Sequence, residues 1–184
     1  MLAEHKRHVE GVLQALWNVR LCLSEAKCVF GTLETSFVGF RVNKHGIHTE
    51  EKKVKAVRDW PTPKTPTDLR GFLGLAGYYR KFVLKFSHQA HLLHDLATKP
   101  KNKYIWTDRH GNQFEDLKWA LMSAPVLATL DLEADSVLQT DISVTAIGGV
   151  LTQKLLFEGR LVEWPLGYFS RKLHGVEARY LAYD

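Results

Sequence analysis

Three groupings of side chains in this chain have the types and spacing to do chemistry. The first is basic. Between Glu51 and His88 stand nine Lys or Arg residues (Lys52, Lys53, Lys55, Arg58, Lys64, Arg70, Arg80, Lys81 and Lys85) against three acids, Glu51, Asp59 and Asp68. Nine less three leaves +6 there, and the net charge of +5 leaves −1 for everything else. Cations gathered in one segment suit contact with a phosphate backbone, although a solvated helical face explains the same charges. The second grouping is His88, His91 and His94 with Asp95 beside them. Histidines at i, i+3 and i+6 drift around a helix and no second ligand set accompanies them, so a metal site competes with solvated or partner-facing imidazoles. The third is Asp141, a lone carboxylate in the apolar run VLQTDIS. Two-metal hydrolysis of a phosphodiester needs several carboxylates, because hard, strongly hydrated cations are held by clustered anionic oxygens. By itself Asp141 reads as a strand-end aspartate.

The elements that must position these groups follow from periodicity. Residues 5–19 read as a helix with Val9, Val12, Leu13, Leu16 and Val19 on one face. Cys28–Leu33 and Ser36–Val42 read as a tight hairpin, ended by Asn43-Lys44-His45-Gly46. A short helix starts at Thr49 and runs to Trp60, where Pro61 and Pro63 stop it. Thr65-Pro66-Thr67-Asp68 then gives a cap hydroxyl, a proline at the first helical position and an acid at the third. The helix predicted behind it, Leu69–Phe86, carries two stripes. Leu69, Phe72, Leu73, Ala76, Tyr79, Val83 and Phe86 face a core, while Arg70, Gly74, Tyr78, Lys81 and Lys85 share another face. Gly71, Gly74 and Gly77 each cost about 1 kcal/mol relative to alanine in mid-helix. Close approach of another helix or of a nucleic-acid backbone would account for them, and Arg70, Tyr78 and Lys81 alongside favour the second. A further helix covers Asn112–Met122, and from Asp135 three short strands form a meander. The boundary between the two regimes lies near Asp131.

Composition narrows the class. With 184 residues and 45% hydrophobic content the chain builds a real core. It has no apolar run near the roughly 20 residues needed to span a bilayer, and MLAEHKRHVEG has no signal-peptide core. Cys22 and Cys28 fit no disulfide framework or zinc signature and read as reduced thiols of an intracellular protein, cytoplasmic or nuclear.

An ordered series of short motifs carries a likeness. KCVF at Lys27 is followed by FVGF at Phe37, GI, KVKAV, and WPTPKT from Trp60. LRGFLGLAGYYRKF, FSHQA, WTD, APVL, LQTDISVTAIGGVLTQ and FSRKL follow. This series, over nearly the whole chain, resembles the gypsy-type LTR-retrotransposon polymerase, from beyond its polymerase active site into its ribonuclease H domain. The resemblance implies an α+β fold in three parts: residues 1–47 as the end of the palm, 48–131 as thumb and connecting helices, and 132–184 as the opening of an RNase H-like meander. It implies that Phe37, Val38, Gly39 and Phe40 form the primer-grip hairpin and that the Leu69–Phe86 helix lies along the template–primer minor groove. Gly74 and Tyr78 would touch that duplex, RNA–DNA hybrid or DNA, and Asp141 would be the first metal-binding, catalytic carboxylate of the nuclease, using Mg2+ in the complete enzyme.

Departures from the family pattern are Ile142 and Gly149, where alanine is usual, and His91, where proline is usual. The Y-x-D-D polymerase motif is not in this sequence, and on the same alignment the next nuclease glutamate falls just past Asp184. The expected role is therefore template–primer binding within a larger polyprotein. A domesticated or relic non-enzymatic module, binding nucleic acid or protein, is the alternative. The Val137–Ile142 strand is expected to present an unpaired edge. The 184-residue chain alone is expected to show neither polymerase nor ribonuclease H activity in magnesium or manganese. Cleavage of a labelled hybrid that disappears with Asp141→Asn would contradict this.

Overall fold

Helix α1, Leu2–Asn18, follows the amphipathic stretch at the start of the chain, and a single 3-10 turn, Glu25–Lys27, comes after it. A computed structural model describes residues 2–143, 146–157, 159–174 and 177. Contacts divide the chain into two units, Met1–Leu33 and Glu34–Asp184, so the limits expected at 47/48 and 131/132 both fall inside the second. Within the first unit Val12, Trp17 and Leu21 are exposed. Among the described residues no helix is long and apolar enough to cross a membrane.

The second unit opens with an antiparallel sheet of β1 (Glu34–Phe37), β2 (Phe40–Asn43) and β3 (Gly46–Thr49). This corrects the expected hairpin. Residues 28–33 form no strand, and Gly31, at φ 65°, breaks their extended run. The turn lies inside FVGF instead, where Val38 and Gly39 both have positive φ and Phe37 pairs with Phe40. The backbone of Ile47 then exchanges two hydrogen bonds with Leu127 (2.7 and 3.0 Å), tying β3 to the chain beyond the last helix.

Helix α2 spans Glu51–Arg58 and is capped at Glu50 rather than Thr49. Helix α3, Pro66–Tyr78, begins where the cap signal predicts. The Thr65 hydroxyl accepts from the Asp68 amide at 3.1 Å, and the Asp68 carboxylate accepts from the Thr65 amide at 3.0 Å. Its far end corrects the single long helix. The chain leaves α3 after Tyr78, makes a 3-10 turn over Arg80–Phe82, and passes through Lys85 in the left-handed region before α4, Phe86–Ala97. Tyr79, Phe82, Val83 and Phe86 are all buried in the core across the break, at the i, i+3, i+4, i+7 spacing that a continuous helix would also place on one face. Helix α5, Asp108–Met122, completes the helical layer.

Phe72 of α3 lies 4.5 Å, centroid to centroid, from Phe114 of α5, and Trp60 meets Phe72 edge-on. Leu69, Leu93 and Leu117 are fully buried around them. Each such side chain contributes about 1.5–3 kcal/mol of apolar burial, which makes this helical cluster the main source of cohesion.

The second sheet is the expected meander, β4 (Ser136–Ile142), β5 (Ala146–Phe157) and β6 (Arg160–Lys172), antiparallel in that order. All seven residues of β4 are exposed. At the other edge β6 is seated on the helices, a partner that the picture of a bare half-sheet did not include. Tyr168 packs on the core, the Ser170 hydroxyl accepts from the Ser87 amide at 2.8 Å, and Arg80 donates to the Ser170 carbonyl at 3.2 Å. A buried glutamine fixes the entry to the sheet. The Gln153 side chain accepts from the Asp131 amide (3.0 Å) and donates to the carbonyls of Asp131 (2.7 Å) and Ala134 (2.9 Å).

Gly149, where the resembling family commonly has alanine, sits beneath the ring of its cross-strand partner Phe169. A Cβ there would stand 2.3 Å from the Phe169 ring and 2.8 Å from the Gln139 carbonyl oxygen. The ring can swing aside but the strand cannot. Gly149→Ala is therefore expected to cost about 1–3 kcal/mol, read as a lowered denaturant midpoint in urea unfolding; an unchanged or raised midpoint contradicts it.

Candidate nucleic-acid interface

The residues singled out for duplex contact divide into two groups once the fold brings them into place. Phe37, Val38, Gly39, Phe40, Tyr78 and Lys81 come together. Phe40 stacks on Tyr78 (5.2 Å, 10° between planes) and meets Tyr79 edge-on at 5.6 Å. The Lys81 ammonium lies 3.9 Å from the Phe40 ring centroid, a cation–π contact. Burial pushes the Lys81 pKa down, so this cation is partly withdrawn from solvent. The Tyr78 hydroxyl donates to the Val38 carbonyl, and the Tyr79 hydroxyl donates to the Gly39 carbonyl at 2.8 Å. Burial of Tyr79 raises its pKa to about 12, so the donor proton stays on the oxygen throughout the neutral range. The tip residues Phe37 and Val38 remain two-thirds exposed.

Arg70, Gly74 and Lys85 lie apart from that cluster. Arg70 donates to the Ala97 carbonyl and to the Thr67 hydroxyl, both at 3.1 Å, and so ties α3 to the end of α4. Among the described residues nothing comes within 4 Å of a Cβ built on Gly74 or Gly77, while Gly71 faces Trp60. The Trp60 contact at 3.6 Å is ordinary van der Waals distance, so packing within the described residues requires a glycine at none of the three positions. Lys85 lies beyond the helix break and pairs with Asp141 at 2.9 Å.

That pair lines a hollow of about 240 Å3 with His88, Ser143, Ile147, Gly148 and Ser170. The Lys85 ammonium, by hydrogen bond and charge, holds the Asp141 carboxyl below the usual aspartate range. One carboxylate facing an ammonium does not make a binding site for two divalent cations, and among the described residues no group of three His, Cys, Asp or Glu side chains could hold a metal. The run Ala178–Tyr183 and Asp184 lie outside the described residues. The histidines of α4 do not converge either. His91 contacts the His88 carbonyl and the Gln113 amide through one ring nitrogen, and burial depresses the pKa of His94.

Sequence reading missed three participants. Tyr79 was assigned to the core for its ring, and its hydroxyl carries the second bond to the turn. Arg80 and Ser170 meet only because β6 returns across the break after α3, and no local pattern announces that contact.

For Asp141 the linkage sign is that of a carboxylate with a depressed pKa: its stabilisation holds above the unfolded-state value and is lost as pH falls through the folded one. Both partners are more than half exposed, so the effect on global stability is small. Lys85→Ala is expected to return the Asp141 carboxyl to a higher pKa, followed by 13C NMR of the side-chain carboxyl, with a melting shift of about 1 °C or less. An unmoved titration would show that the pair does not form in solution.

Comparison with known proteins follows the same outline. Residues 106–184 match the family described as an RNase H-like domain found in reverse transcriptase. The polyproteins of transposons Tf2-3 and Tf2-4 of Schizosaccharomyces pombe are each 35% identical over 99% of this chain, which spans 13% of their length. Two structures of the foamy viral protease-reverse transcriptase with double-stranded DNA superpose with TM-scores of 0.77 and 0.75. They are each 25% identical to this chain, cover 98% of it, and are matched over 31% and 37% of their own lengths. Over nearly its whole length the chain is similar to the reverse transcriptase/RNase H-like part of Ty3/gypsy-type retrotransposon polyproteins.

Proposed function

We propose that this segment supplies the template–primer contacts of a reverse transcriptase and the opening of its RNase H domain. The parts would be the end of the palm (1–47), the thumb and connecting helices (48–131) and the start of the nuclease (132–184). The observation that carries the reading is the union of the FVGF turn with Tyr78 at the end of α3, on a helix whose Gly74 and Gly77 have nothing within 4 Å of a built Cβ among the described residues and so leave room for a close neighbour. A duplex backbone fits such a ledge. In this reading Phe37–Phe40 hold the primer strand, Gly74 admits the minor groove, and Arg70, Lys81 and Lys85 supply positive potential. The partner is an RNA–DNA hybrid or DNA duplex, and polymerase and nuclease chemistry belong to the longer polyprotein. There Asp141 would join carboxylates from the rest of the nuclease in holding Mg2+.

The cations named have internal partners, so their contribution to binding is through local potential as much as direct phosphate contact. Three or four phosphate contacts give a log–log salt slope of about −3. The triple variant Arg70→Ala, Lys81→Ala, Lys85→Ala is expected to flatten that slope for a DNA duplex and for a hybrid alike, measured by fluorescence anisotropy across a salt series. A slope that does not move places the contact on other cations, such as those of α2.

A further inference from the structure

The turn between β1 and β2 is poorly suited to stand alone. Val38 has φ 46° and Gly39 φ 76°, the paired left-handed geometry of a two-residue hairpin turn. Glycine accepts this freely, but a β-branched valine does not, and asparagine or aspartate is the usual occupant. The conformation persists where its surroundings impose it.

Those surroundings are two consecutive tyrosines. Tyr78 donates to the Val38 carbonyl and Tyr79 to the Gly39 carbonyl, so both carbonyls of the turn are bonded by side chains from another element. The two hydroxyls come from the last residue of α3 and its C-cap, whose rings meet edge-on at 5.0 Å. The fit is close: a Cβ on Gly39 would stand 3.3 Å from the Tyr79 hydroxyl and 3.4 Å from the Tyr78 ring.

We propose that Tyr78 and Tyr79 are positioning residues, a double hydroxyl latch that sets the Val38–Gly39 turn and hence the pose in which Phe37 and Val38 meet the primer strand. This rests on the duplex-binding reading above and changes one part of it. Tyr78 acts through the hairpin and not by its own contact with the duplex, because its hydroxyl is committed to Val38 and one face of its ring to Phe40.

The test uses the 184-residue chain with Tyr78→Phe, Tyr79→Phe and the double variant, which keep the rings and remove only the hydroxyls. The carbonyl 13C shift of Val38 is expected to move in the first single variant and that of Gly39 in the second. In the double variant amide exchange at Phe37–Phe40 is expected to rise at least about 10-fold, while Leu93 and Leu117 exchange as before. Affinity for a 20-base-pair DNA probe is expected to fall about 5-fold or more with an unaltered salt slope. Unmoved carbonyl shifts, or hairpin exchange unchanged in the double variant, would overturn the latch. So would a Tyr78→Phe chain that loses affinity with its hairpin exchange unchanged, since that marks a direct contact. If the double variant loosens the core too, the single variants, read at their own carbonyls, decide. If the unsubstituted chain ignores the probe, the duplex reading fails while the shifts and exchange rates still judge the latch.

Discussion

Phe40 is the side chain through which the separate layers of this molecule meet. Its ring stacks on Tyr78, meets the edge of Tyr79, lies 5.7 Å from Phe82 and carries the Lys81 ammonium on a face. Aromatic pairs contribute about 0.5–1.5 kcal/mol beyond the area they bury, so this one node binds a three-stranded sheet to the helical core. The same break that frees Tyr79 and Lys81 to reach Phe40 also presents Arg80 to Ser170 of the second sheet. Hairpin, helices and nuclease-like strands therefore converge on six residues between Tyr78 and Val83. A change in how α3 ends would propagate to all three.

The parts of the fold that were legible in the residues are those set by local rules. Thr65-Pro66-Thr67-Asp68 announces a cap, and the cap forms with both reciprocal bonds. Leu69, Phe72, Leu73 and Ala76 recur at helical spacing and are buried. The meander of β4 to β6 follows alternation and turn chemistry. The helix break was not legible, because a 3-10 turn advances three residues per turn against 3.6 and leaves a hydrophobic stripe nearly undisturbed across one turn. The FVGF turn, which the resemblance implies, was hidden from the local pattern for a different reason: valine is the wrong residue for it by local preference, and tertiary hydroxyls impose what the local sequence resists. Helix α4 escaped notice because its three histidines look like chemistry and obscure the buried Phe86, Ala90 and Leu93 behind them.

The positive potential of the Glu51–His88 segment is similarly reshaped by folding. Counting charges treats every cation as free, whereas Lys81 is over a ring, Arg70 is bonded to a helix terminus and Lys85 faces a carboxylate. A cation half withdrawn from water interacts more strongly with any charge brought near it, because less solvent screens the pair. The exposed lysines of α2 keep their freedom and act at longer range, subject to screening by salt.

Gln153 gives the passage from helices to second sheet a mechanical character. Its amide is fully buried and spans both sides of Asp131 while also reaching Ala134, so it measures a fixed length of chain before β4 begins. Inserting or deleting a residue there would strand a buried amide, at a cost of about 1–3 kcal/mol for each group left unsatisfied. With Ala128 also bonded to the Pro165 carbonyl at 2.8 Å, the segment behaves as a bracket rather than a hinge. Such a bracket transmits torque: a force that tilts the helical layer turns the strand bearing Asp141 with it, and the linker absorbs little of the motion.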